Sequence, residues 1–105
     1  MLGHTEAAQA AAEARDDLLG VCAVAEILAN QGDAKQARRV LQEKMDDVDE
    51  DAPGFPEGLW GLARTAAMLG KSRTASRLLR EMGELAPGYR SADVAVLQAG
   101  MDAEK

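Results

Sequence analysis

Apolar residues along this chain recur every three or four positions, the spacing that puts them on one side of an α-helix. Over residues 18–31 the stripe is Leu18, Val21, Val24, Ala25 and Leu28. From about Ala34 to Asp47 it is Ala37, Val40, Leu41, Met45 and Val48. From Pro56 to Leu69 it is Leu59, Leu62, Ala63, Ala66 and Leu69, and a further helix starting at Ser72 or Thr74 carries Ala75, Leu78, Leu79, Met82 and Leu85. Ser91-Ala92-Asp93 caps a last helix with Val94, Val96, Leu97 and Met101. Residues 5–19 add an alanine-rich helix behind a Thr5-Glu6 start. No run alternates β-branched and aromatic residues with polar ones, so the predicted class is all-α.

The breaks between stripes have their own chemistry. Gly32 and Gly70 stand where a helix ends in a left-handed residue, and Asp33 follows as a helix N-cap. Ala52-Pro53-Gly54 and Ala86-Pro87-Gly88 are turns, and Pro56 falls in a first helical turn, where its missing N–H costs nothing.

These breaks repeat. Ala52-Pro53-Gly54-Phe55 matches Ala86-Pro87-Gly88-Tyr89 at an offset of 34. Gly32 matches Gly70 at an offset of 38, and around it Ala25, Ala29, Ala37, Arg39, Leu41 and Glu43 match Ala63, Ala67, Ala75, Arg77, Leu79 and Glu81. The difference of four residues falls most simply in the acidic stretch Asp46–Asp51. A helix pair per 34 residues resembles the tetratricopeptide repeat. Residues 56–89 carry the likeness best, with Leu59, Leu62, Ala63 and Ala66 in the first helix, Leu69-Gly70 at the turn, Ala75 and Leu79 in the second, and Pro87 closing the unit. They depart from the family pattern at Met82, where a small residue is usual, and at Ala66, where an aromatic is usual.

The resemblance implies antiparallel hairpins stacked as a short right-handed α-solenoid of about two and a half repeats. It divides a single domain, 1–105, into a partial unit 2–17, repeats 18–55 and 56–89, and a C-terminal helix 90–103 that either caps the array or opens another unit. It also implies a concave face lined by the first helices. Their off-stripe positions are Glu57, Trp60, Arg64 and Met68 from the better unit, Cys22, Glu26 and Asn30 from the weaker one, and Val94 and Gln98 from the last helix. An aromatic beside an arginine, as in Trp60 and Arg64, is the composition of a binding hot spot, and Trp60 also suits packing against the neighbouring unit.

Composition narrows the function. The net charge is −6, which sets nucleic acid aside as the expected partner, since phosphate contact needs clustered Lys and Arg. Arg38, Arg39, Arg73, Arg77 and Arg80 form a basic edge on the second helices, read as a solvated face or an anionic docking surface. No apolar run approaches the length of a membrane span, and no signal peptide is evident, so the expected location is the cytoplasm. One cysteine, Cys22, and one histidine, His4, leave no thiolate zinc site, and their spacing supports no nucleophile–base pair.

Asp47, Asp49 and Asp51 have the spacing of the first calcium ligands, but Ala52 stands where glycine is needed and Gly58 where a bidentate glutamate is needed, with Glu57 one residue short. Gly70-Lys71-Ser72 lacks the earlier glycine of a phosphate loop. The expectation is therefore a non-enzymatic module with no cofactor or metal. It binds a protein or peptide through the concave face, with exposed terminal helix faces available for self-association. The alternative is a helical accessory domain that assembles subunits without a peptide groove.

Overall fold

A computed structural model describes residues 18–103. The helix expected over 5–19, the partial unit 2–17 and His4 lie outside the described residues, apart from Leu18 and Leu19, which begin the first helix. Five helices follow in order: α1 (Leu18–Asn30), α2 (Ala34–Asp46), α3 (Phe55–Met68), α4 (Ser72–Leu85) and α5 (Ser91–Ala103). Among the described residues there is no strand. The chain is all-helical, and its boundaries fall within two residues of those the stripes predict.

Two hairpins, α1–α2 and α3–α4, pack side by side. Helix α3 lies against both α1 and α2, whereas α5 touches α3 and α4 only lightly. The predicted stripes form one core: Leu18, Val24, Ala25, Leu28, Ala37, Leu41, Met45, Leu59, Leu62, Ala63, Ala66, Ala75, Leu78, Leu79 and Met82 are buried together, with Met101 from α5. Three stripe residues depart. Leu69 and Leu85 fall at helix ends and are exposed, and Val96 is 74% exposed on the outer side of α5.

Small residues set the spacing of the layers. Ala37, Ala63, Ala66 and Ala75 have no exposed surface, and so mark where backbones come closest. A Cβ on Gly61 would collide with the end of Leu41, and one on Gly58 with the thioether of Met45. Each glycine is thus a notch in α3 that receives a knob from α2. Thr65 is the one buried polar side chain among the described residues, and its hydroxyl donates back to the Gly61 and Leu62 carbonyls within its own helix.

The turns at the matched positions share their backbone hydrogen bonds. At the first turn, Gly32 N–H donates to Ala29 O at 3.0 Å and Asp33 N–H to Leu28 O at 2.9 Å. At the second, Gly70 N–H donates to Ala67 O at 3.1 Å and Lys71 N–H to Ala66 O at 2.8 Å. Both close a helix through a left-handed glycine, with φ of 88° at Gly32 and 79° at Gly70. The Pro-Gly turns also agree, with Phe55 N–H donating to Ala52 O and Tyr89 N–H to Ala86 O. After that the two turns differ: α3 starts directly at Phe55, while Tyr89 and Arg90 intervene before α5.

Candidate functional site

The groove between the hairpins is built from one face of α1, one face of α3 and the start of α5. Cys22, Ala25, Glu26 and Ala29 line it from α1; Glu57, Trp60, Gly61, Arg64 and Thr65 from α3; and Arg90 and Asp93 from the α4–α5 turn onward. Its volume is about 330 Å³. Ala25, Ala29 and Gly61 lack bulk, which is why space remains between two helices that otherwise touch.

Of the nine residues expected on the concave face, Cys22, Glu26, Glu57, Trp60 and Arg64 line this groove. Asn30 sits at its edge: its Oδ1 accepts from Arg64 Nη2 at 2.9 Å, which ties α1 of the first hairpin to α3 of the second. Met68, Val94 and Gln98 are not among the lining residues. Met68 is 48% exposed at the end of α3. Val94 packs against the core instead of facing the groove, and Gln98 is half-buried further along α5. The reason is geometric. α5 meets the second hairpin only lightly, so its helical face does not continue the row set by α1 and α3.

Arg90 and Asp93 are the groove residues that the stripes do not mark. Glu57 accepts from Arg90 through both oxygens, Nε to Oε1 at 2.7 Å and Nη2 to Oε2 at 2.8 Å. Arg90 Nη1 also donates to Asp93 Oδ2 at 2.8 Å. The guanidinium carbon lies 5.4 Å from the centre of the Trp60 ring, within cation–π range. Tyr89 completes the cluster by donating its hydroxyl to Glu57 Oε1 at 2.8 Å.

A bidentate arginine–carboxylate pair is among the stronger and more directional contacts available to side chains. Hydrogen bonding to Glu57 raises the Arg90 pKa further from any physiological range, against the opposing effect of burial, so its charge is permanent. Burial first, then Glu57, raises the Tyr89 pKa above its ordinary value of 10.0 and keeps the phenol a donor.

Arg90 reaches this position from a left-handed backbone, φ 51°, the one non-glycine residue with positive φ among those described. Such a conformation costs a residue bearing Cβ about 1–2 kcal/mol. It swings the side chain back over α3, and it explains why helical periodicity gives no sign of the residue. The legible signal was different: an arginine placed between a Pro-Gly turn and a helix start, with an aspartate three residues later.

The acidic stretch is a turn in which Asp47 closes α2 and Asp49 O accepts from Ala52 N–H. Among the described residues no group of three or more His, Cys, Asp or Glu side chains is arranged to hold a metal ion. Among the same residues no helix is long and apolar enough to cross a membrane. Comparison with protein-family models, with curated proteins and with solved structures returns no match.

Proposed function

We propose that this chain is a non-catalytic interaction module, built on tetratricopeptide-like hairpins, that takes a peptide or a segment of a partner protein into the groove between α1, α3 and α5. The observation that carries this reading is the convergence of Glu26, Trp60 and Arg64 on one groove over a floor of Ala25, Ala29 and Gly61. A small-residue floor admits the backbone of a guest, and the aromatic and charged walls supply its anchors. The repeat of backbone hydrogen bonds at fixed offsets supports the tetratricopeptide likeness.

Trp60 is the single tryptophan of the chain, so its emission reports on the groove alone. Peptides selected from an unbiased displayed library on the full chain are expected to shift that emission. They are expected to lose at least tenfold in affinity on the Trp60→Ala, Arg64→Ala double variant at unchanged helix content. Selected peptides that bind parent and double variant equally would remove the groove from the function.

A second reading, an accessory domain assembled by a helix face, is favoured by α5. Val96 is 74% exposed, and Ala92, Ala95 and Ala99 share the exposed part of that helix. On this reading α5 meets another subunit or a second copy. A Val96→Asp variant would then sediment as a smaller species than the parent.

A further inference from the structure

We infer that the groove is a recognition site for an arginine side chain of the partner, held occupied in the free protein by the chain's own Arg90. The inference rests on the groove reading above and names the chemistry of its guest.

The cluster around Arg90 is a complete guanidinium receptor. Glu57 offers both oxygens to one edge, Asp93 takes a third donor, and the Trp60 ring covers the cation. Planar, bidentate recognition of this kind suits arginine and not lysine, whose ammonium is a point donor. The Tyr89 hydroxyl fixes Glu57 by bonding Oε1, so the carboxylate is oriented before any guest arrives. The receptor is open to solvent at its mouth: the Arg90 side chain is 34% exposed and the Glu57 side chain 20%.

The occupant is held at a cost that a guest would not bear. Arg90 reaches Glu57 from a left-handed backbone, whereas a partner's arginine arrives with its own backbone unconstrained. Charge points the same way. Glu26, Glu57 and Asp93 line the groove against Arg64 and Arg90, so displacing Arg90 leaves three carboxylates facing one guanidinium. The net charge of −6 favours the approach of a basic segment over an acidic one. Arg90 therefore acts as a competitor in cis, and the apparent affinity for a guest falls by the fraction of molecules in which the receptor is free.

The test uses the full chain and a blocked hexapeptide, acetyl-Gly-Gly-Tyr-Arg-Ser-Gly-amide, with its arginine replaced by glutamine, lysine or glutamate as controls. Arg90→Gly empties the receptor and relaxes the left-handed position, and Arg90→Asn does the same with a residue that tolerates positive φ. Calorimetric titration is expected to show the arginine peptide binding either variant at least tenfold more tightly than the parent. The glutamine and glutamate peptides are expected to bind at least tenfold more weakly than the arginine peptide. Glu57→Gln in the Arg90→Gly background is expected to abolish the preference for arginine.

Equal binding to parent and variants overturns the inference, as does a preference for glutamate or an indifference between arginine and lysine. So does a loss of helix content in both variants that the arginine peptide fails to restore, because Arg90 would then be a structural clip for α5 and nothing more. The library selection separates the two readings. Groove-bound peptides without an arginine requirement leave the interaction module standing and remove only this inference.

Discussion

At the scale of single residues, Glu57 is where most of the site's chemistry meets. It accepts from Tyr89 and twice from Arg90, and through Arg90 it is coupled to Asp93 and Trp60. Tyr89 supplies a pH signature for this cluster. Its pKa in the folded chain is raised above the ordinary 10.0, chiefly by burial and then by the bond to Glu57. A raised folded value means that the phenol's contribution to stability is whole below the unfolded pKa and is lost as pH climbs through the folded one. The structure therefore predicts that Tyr89 ionisation leaves the thermal midpoint unchanged near neutral pH and lowers it above about pH 10. Tyr89→Phe has no proton to lose and is expected to decline less over the same interval. Melting curves from pH 8 to pH 11.5 on both proteins compare the two directly, and parallel declines would detach Tyr89 from the cluster. Tyr89 is 39% exposed, so the difference is expected to be modest.

At the scale of helices, the two hairpin turns are the same turn with one difference in capping. Asp33 accepts from Gln36 N–H at 3.2 Å with its side chain, at φ −105° and ψ 62°. Lys71 occupies the matching place at φ −96° and ψ 66° but makes no side-chain cap. The backbone is already set for a cap that lysine cannot supply, because an ammonium has no acceptor. Lys71→Asp is expected to stabilise the chain by about 0.5–1 kcal/mol, near the lower part of the usual range for a gained cap. Urea denaturation monitored by circular dichroism measures the gain as a higher midpoint at unchanged slope. A midpoint below the parent's would mean that the two turns are not equivalent.

The same elements show what could be read from the sequence and what could not. Four stripes and the paired glycines located α1 to α4 and their turns, because burying an apolar face and reaching a left-handed backbone both leave a residue-type imprint. Five groove residues were legible because α1 and α3 pack with their first-helix faces toward one another. Met68, Val94 and Gln98 were placed on that face by extending the period past the point where the packing holds. Arg90 was missed because a non-glycine residue in the left-handed region follows no periodicity, and Asp93 because an acidic residue in a first helical turn reads as a cap and not as the partner of Arg90. Val96 looked like part of a stripe only because α5 is apolar on more than one side.

At the scale of the whole molecule, the question is whether the two hairpins form one cooperative body, since the groove exists only while α1 and α3 stay together. The pieces that join them are few and unequal. Asn30 and Arg64 share an exposed hydrogen bond, which solvent competition leaves worth little. Burial at the α2–α3 contact matters more, and Leu41 is its centre. This side chain has no exposed surface and fills the notch left by Gly61, a residue that also lines the groove.

The stability of two packed hairpins divides into the packing within each and the interface between them. Leu41→Ala removes part of the interface term along with core packing, and is expected to cost about 2–5 kcal/mol, as for other fully buried leucines. If the hairpins are one body, native-state hydrogen exchange will report the loss in α3 and α4 as well as in α1 and α2. If only α1 and α2 lose protection, the second hairpin stands alone and the groove is a hinge between two units, not a preformed site. The first outcome is expected. Helix α3 is packed on three sides, by α1, α2 and α4, and the notches that fit it to α2 are cut into the same stretch, Gly58 to Gly61, that presents Trp60 to the groove.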